Sequence, residues 1–284
     1  MIDNGIELIV RRALEEDIGT GDVTTSAILS PEQQLTGHFV ARSAGVVAGW
    51  EVVECVFHCL DANAHLQPII ADGGNISDGQ KIATIEGTAQ ALLTGERTAL
   101  NILQRMSGIA TRTREFVEAV KGTSATILDT RKTAPGLRLT DKLAVKIGGG
   151  KNHRMGLYDM ALIKNNHIAA AGGLPHAVGR VRSGVGAARP LEIEVRTIQE
   201  LREALALKPD RIMLDNMSLT NIREAVVVSE NLVPLEVSGN ITLENVSAVA
   251  ATGVPYISVG ELTHSVKALD INFTIEVPPR RDSI

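Results

Sequence analysis

The chain has 284 residues, a net charge of −5 and 44% hydrophobic residues, but only 2% aromatic ones. Its apolar share suits one large or two ordinary domains, and the abundant Ala, Val, Ile, Leu and Gly suit α/β layers with buried parallel strands. Scarce aromatics and a negative net charge argue against a single-strand nucleic-acid platform or a polyanion-wrapping role. The N-terminal stretch carries Asp3, Glu7, Glu15, Glu16 and Asp17, with no basic-then-apolar leader pattern, so no secretory signal is read there. No apolar run reaches the length of a membrane span. A reduced, cytoplasmic protein without membrane or nucleic-acid partners is expected.

In chain order, a helix is predicted over Ile6–Glu16. It leads into the turn Glu16-Asp-Ile-Gly-Thr-Gly-Asp-Val-Thr-Thr25, where Asp and Thr side chains bond to backbone. Strand-like segments follow at Thr36–Arg42, Gly45–Gly49 and Lys81–Gly87, with a helix over Glu51–Leu60. Cys55 and Cys59 could share a metal at helical spacing, but without a second ligand pair they read as small core residues. Helical periodicity from Ala89 to Val120 predicts two helices broken near Ser107-Gly108. The break is taken as a boundary between an N-terminal α/β domain over 1–107 and a catalytic domain over 108–270, with the tail 271–284 packing on the former. After residue 120, short apolar strands are predicted at Ala125–Leu128, Met160–Ile163, Leu191–Val195, Arg211–Leu214, Leu235–Val237 and Tyr256–Val259. They alternate with helices that include Thr197–Leu207, Leu219–Ser229, Leu243–Thr252 and Leu262–Leu269. That alternation implies βαβ units around a parallel sheet, and the even spacing favours a barrel.

What ends each strand carries the chemistry, because the C-terminal ends of barrel strands open onto one face. Between Asp129 and His167 lie Arg131, Lys132, Arg138, Lys142, Lys146, Lys151, Arg154 and Lys164, against only Asp129, Asp141 and Asp159. A cationic island in an acidic chain points to a localised anion site. Arg131, Lys132, His153, Arg154 and Lys164 make one basic half of the mouth, suited to a substrate with more than one carboxylate. Glu194 and Asp215 end two later strands. They suit Mg²⁺ or ribose hydroxyls, and equally a salt bridge to the nearby lysines. Ser238-Gly239-Asn240 and Gly260 end the last strands, where glycine lets backbone N–H groups approach a phosphate. The composite ligand is a phosphorylated sugar beside a multi-carboxylate molecule, which points to glycosyl transfer from an activated phosphoribose. No nucleophile and no Walker or dinucleotide fingerprint stands out.

The stretches Glu16–Thr25, Glu96-Arg-Thr-Ala-Leu-Asn101, Asp129-Thr-Arg-Lys-Thr-Ala-Pro-Gly-Leu-Arg138, Gly148–Asp159, Leu162-Ile-Lys-Asn-Asn-His-Ile168, Glu192-Ile-Glu194, Leu214-Asp-Asn216, Glu236-Val-Ser-Gly-Asn240 and Ile257-Ser-Val-Gly260 closely resemble the quinolinate phosphoribosyltransferases. These are the carboxylating nicotinate-nucleotide pyrophosphorylases of NAD biosynthesis. The resemblance spans nearly the whole chain. It implies a sandwich-like N-terminal α/β domain plus an open β/α barrel. The implied reaction joins quinolinate to phosphoribosyl pyrophosphate, releasing pyrophosphate and carbon dioxide and forming nicotinate mononucleotide, with Mg²⁺. It implies a homodimer or larger oligomer, with each site completed by Arg97 of a neighbouring subunit. By the same resemblance Arg131, His153 and Arg154 bind the quinolinate carboxylates, and Lys132 and Lys164 lie between the two substrates. Glu194 and Asp215 address ribose and Mg²⁺, and Ser238, Gly239 and Gly260 hold the 5′-phosphate. Asn166, where many relatives carry Asp, and Asn240, where some carry Gly, depart from the pattern without removing an assigned charge. The rival readings are a related pyridine phosphoribosyltransferase or molybdenum-transport-associated relative, and a non-catalytic phosphosugar-binding protein.

Overall fold

The computed structural model describes residues 3–30, 32–185 and 189–276. The first elements are α1 (Asn4–Ile18), α2 (Thr25–Ile28), β1 (Gln34–Ala41), β2 (Gly45–Val46), α3 (Trp50–His58), β3 (His65–Pro68), β4 (Asn75–Ile76), β5 (Lys81–Thr88) and α4 (Ala89–Ala119). Next come β6 (Thr126–Leu128), α5 (Arg138–Ile147), β7 (Ala161–Ile163), α6 (Asn165–Ala171), α7 (Leu174–Val185), β8 (Leu191–Val195), α8 (Ile198–Ala206) and β9 (Arg211–Asp215). The last are α9 (Leu219–Ser229), β10 (Leu235–Ser238), α10 (Leu243–Ala250), β11 (Tyr256–Ser258), α11 (Glu261–His264) and β12 (Ile271–Ile275).

These elements form two compact units. The first takes the chain up to Arg112, Pro135–Gly148 and the stretch from Val266 onward; the second takes Thr113–Ala134 and Gly149–Ser265. The first unit is built on an antiparallel sheet of order β12-β1-β5-β3. Aromatic side chains are few, and four of them cluster here. Phe39 lies edge-on to Trp50, Phe57 and Phe273. Gly37 faces the Phe273 ring across the β1–β12 pair, and a Cβ there would enter that ring. The part of the expected tail packing that concerns 277–284 lies outside the described residues. The turn before α2 follows the sequence reading: Asp22 accepts from the backbone N–H groups of Thr24 and Thr25 at 3.0 and 2.9 Å. The Thr25 side chain first, and then these backbone bonds, hold its carboxyl below the ordinary value.

Three expectations change. The region Ala89–Ala119 is one continuous helix, not two. Gly108 sits inside it because a Cβ there would collide with the Lys267 carbonyl, so the glycine records a close backbone approach and not a break. The helix expected over Leu262–Leu269 is only the short α11. Beyond it the chain joins the first unit, where Leu269 and Ile271 are buried. Cys55 and Cys59 are half-buried rather than core; they border a groove with Glu7, Arg11, Glu54 and His58. Burial, and then its neighbour Cys59, push the Cys55 thiol up to about 11.

The second unit is an open β/α barrel. Its six parallel strands run β6-β11-β10-β9-β8-β7. The gap between the edge strands is partly lined by Lys151, whose N–H donates to Ile127 at 2.9 Å and whose carbonyl accepts from Asp129 at 3.1 Å. Alternation assigns the two faces. Ile127, Ile163, Ile193, Val195, Ile212, Leu214, Val237 and Ile257 are all buried, and full burial of each such side chain is worth about 1.5–3 kcal/mol. Leu162, Glu192, Glu194, Arg211, Met213, Asp215, Glu236, Ser238, Tyr256 and Ser258 share the opposite, inward face by register.

Candidate active site

A cavity of about 1020 Å³ opens at the C-terminal ends of the barrel strands. It is large enough for two small ligands side by side. Its wall includes Arg131, Lys132, His153, Arg154, Lys164, Glu194, Asp215, Ser238, Gly239 and Gly260. Arg97 does not line it; that side chain is exposed on α4, in the first unit. The cationic island divides. Arg131, Lys132, Arg154 and Lys164 reach the cavity, whereas Arg138, Lys142 and Lys146 lie on α5 in the first unit. There Asp141 receives both arms of Arg105 at 2.8 Å.

The basic wall is held by backbone bonds. Asp129, fully buried at the end of β6, accepts from the His153 N–H at 2.9 Å and so fixes where the 153–154 segment runs. Asp159 accepts from the N–H groups of Met155 and Gly156 at 2.7 and 2.9 Å, closing the following loop. The Arg154 guanidinium donates to the Met160 carbonyl at 3.1 Å. Burial, and then the charge of Arg131, lower the Arg154 pKa, so a second anion-binding cation sits close by. Two such groups facing one cavity are stabilised by any dianion that enters. Gly260 leaves room for the Lys132 chain, which would lie 3.2 Å from a Cβ at that position.

Beneath this wall the barrel interior is polar. His153 Nε2 lies 3.0 Å from Glu192 and 3.4 Å from Glu236, and the Arg211 guanidinium lies 2.8 Å from Glu236 and over the Tyr256 ring. His153 Nδ1 accepts from the Arg154 N–H at 2.7 Å. Burial pulls the imidazolium down, but the two carboxylates outweigh it and lift the His153 pKa to about 9. A second ring proton on Nδ1 would cost the bond from Arg154. The short contact therefore favours a ring protonated at Nε2 alone, with the extra proton on Glu192, whose carboxyl burial drives up. Burial would raise Glu236 as well, yet His153 and Arg211 hold it down. The cluster is then close to neutral, as a buried set must be. Sequence reading missed Glu192, Arg211 and Glu236. The signal lies in the spacing: Glu192 and Glu194 are two apart on a buried strand and so share its inward face.

The acidic wall is paired with cations. Glu194 is 3.4 Å from Lys164 Nζ, and Asp215 is 3.0 Å from Arg196 Nε. Glu194 and Asp215 lie on one face of adjacent strands. Both are carboxylates at a cavity wall, a donor set that suits a hard divalent ion. Among the described residues, the cluster with metal-ligand spacing is His153, Glu192 and Glu236, but Arg211 and the proton on Glu192 already neutralise it.

Fold and cavity define an enzyme of the β/α-barrel type that handles anionic, phosphorylated substrates at its strand C-termini. Comparison with known proteins narrows the class. The model of the quinolinate phosphoribosyl transferase C-terminal domain matches residues 109–274, and that of the N-terminal domain matches residues 22–107. A probable carboxylating nicotinate-nucleotide pyrophosphorylase of Bacillus subtilis is 46% identical over 92% of this chain and 90% of its own. A decarboxylating quinolinate phosphoribosyltransferase of Nicotiana glauca is 44% identical over 94% of this chain and 81% of its own. The crystal structure of NadC from Streptococcus pyogenes superposes with a TM-score of 0.92 at 38% identity, covering 98% of this chain and 99% of that one. The chain belongs to the quinolinate phosphoribosyltransferase family.

Proposed function

We propose that the chain is a nicotinate-nucleotide pyrophosphorylase (carboxylating). It joins quinolinate to phosphoribosyl pyrophosphate, giving nicotinate mononucleotide, pyrophosphate and carbon dioxide in NAD biosynthesis. The observation that carries this is one cavity combining a dense cationic wall with carboxylates and glycine turns. Arg131 and Arg154 take the two quinolinate carboxylates; His153 acts in that wall through Arg154, to whose N–H it is bonded. Lys132 and Lys164 lie between quinolinate and the departing pyrophosphate. Glu194 and Asp215 hold the ribose hydroxyls and Mg²⁺, which supplies charge neutralisation for the leaving pyrophosphate when bound. Ser238, Gly239 and Gly260 cradle the 5′-phosphate. The site is completed in a homodimer or larger assembly by Arg97 of a second copy, and the enzyme works in the cytoplasm. Among the described residues no helix is long and apolar enough to cross a membrane.

The chemistry follows from charge. As the ribose–pyrophosphate bond breaks, positive charge grows on the anomeric carbon. The pyridine nitrogen attacks that carbon and becomes a pyridinium. The bond to the 2-carboxylate then breaks, carbon dioxide leaves, and the electron pair stays on the ring carbon beside the positive nitrogen. A proton completes the product. A site for nicotinate, with one carboxylate, needs fewer cations than this wall provides. The test is release of labelled carbon dioxide from quinolinate with phosphoribosyl pyrophosphate. Turnover of nicotinate with none of quinolinate would overturn the reading.

A further inference from the structure

We propose that Asn216 is a positioning residue for the phosphoribosyl end of the site, tying the Asp215 carboxylate to the Gly239 turn so that both move as one unit. The inference rests on the reading above, in which Asp215 addresses the ribose and Gly239 the phosphate. Asn216 follows β9 with a left-handed backbone, φ +54°. Its N–H donates to the Ser238 carbonyl on the neighbouring strand at 2.9 Å. That conformation turns the side chain across the strand ends. The Asn216 Nδ2 donates to Asp215 Oδ1 at 2.9 Å, and its Oδ1 accepts from Asn240 Nδ2 at 2.9 Å. Asn240 is left-handed too, φ +52°, and its carbonyl accepts from Asn245 at 2.8 Å. Asn245 also caps α10 by accepting from the Thr242 N–H at 2.9 Å. One side-chain chain therefore runs from the Asp215 carboxylate to the start of α10.

Two observations say the link sets the geometry. Gly239, φ +97°, lies so close that a Cβ there would occupy the Asn216 side chain, so the turn is shaped around that amide. Behind the turn, between α9 and α10, is a cavity of about 290 Å³ bordered by Met217, Ile222, Val237 and Val249. Asn216, Gly239 and Asn240 all border that cavity, so the amide bridge forms part of its wall. The polarity of the bridge also matters. Asn216 presents an N–H to a carboxylate and an oxygen to an amide; an acid at this position would put two carboxylates together.

The test uses full-length protein and steady-state kinetics with each substrate varied. Asn216→Gly keeps the left-handed backbone and removes the bridge. It is expected to raise KM for phosphoribosyl pyrophosphate about tenfold, the worth of one charge-assisted hydrogen bond, with KM for quinolinate within about twofold and an unchanged unfolding temperature. Asn216→Asp, isosteric but acidic, is expected to do at least as much harm. Asn240→Gly is expected to act in the same direction more weakly, and decides the matter if Asn216→Gly fails to fold. Unchanged kinetics, or equal rises for both substrates, would overturn the assignment, as would wild-type behaviour of Asn216→Asp. Calorimetric titration with phosphoribosyl pyrophosphate alone separates the two ideas. If wild type releases no carbon dioxide from quinolinate, the functional reading fails; if Asn216→Gly binds the phosphoribosyl donor as wild type does, only this inference fails.

Discussion

Arg131 and Arg154 both line the cavity, and the charge of Arg131 helps to lower the Arg154 pKa, so a dianion that enters is favoured by both. Arg131→Ala is expected to raise KM for quinolinate by about one to two orders of magnitude, since charge-assisted hydrogen bonds are worth about 1.5–3 kcal/mol. The unfolding temperature should stay put; wild-type kinetics would refute the role. The buried cluster makes a separate prediction. His153 is lifted from 6.5 to about 9, and Glu192 is also raised. A group held above its unfolded value stabilises fully below that value, and the contribution is lost as pH rises through the folded one. Whichever group carries the proton, the cluster holds one more than the unfolded chain between about pH 6.5 and about 9. Stability should therefore fall across that window, by at most about 1.4 kcal/mol per pH unit. Glu192→Gln should flatten the slope. Denaturant midpoints at several pH values check it, and an unaltered slope in the variant would count against the cluster.

At the scale of elements, two helical glycines separate propensity from packing. Gly108 in α4 lies against the Lys267 carbonyl, whereas Gly179 in α7 has open space where a Cβ would go. Alanine gains about 1 kcal/mol of helix propensity at either site. At 108 the backbone clash costs about 1–3 kcal/mol or more and should win. Gly108→Ala is thus expected to lower the unfolding temperature and Gly179→Ala to raise it. The parallel strands were read from sequence to within a residue or two, because buried β-branched runs ending in polar residues have few other meanings. The helix α5 was not read at all, since its cations looked like part of one anion site.

For the whole molecule, the formal charge of −5 coexists with a cavity lined by Arg131, Lys132, Arg154 and Lys164. The acidic remainder repels anions elsewhere and leaves the cavity as the attractive place for them. Arg97 belongs to the first unit and Lys164 to the second. If sites are shared between copies, Arg97→Ala and Lys164→Ala proteins, each weak alone, should partly recover activity when mixed. Up to about a quarter of full activity is the natural expectation when one site per dimer is restored in half of the dimers. No rescue under conditions that allow subunit exchange would argue against a shared site.

Sequence by itself determined the alternating strands and helices, the polar residues that end each strand, and through its motifs the family. Those features are local: period, turn chemistry and residue type are all read within a few positions of one another. Only the tertiary structure decided which cations share a cavity, that Gly108 marks contact instead of a break, and that Glu192, Arg211 and Glu236 meet His153 inside the barrel. The physical reason is distance along the chain. Asp129 and His153, or Asn216 and Asn240, become neighbours only once the parallel strands are in register.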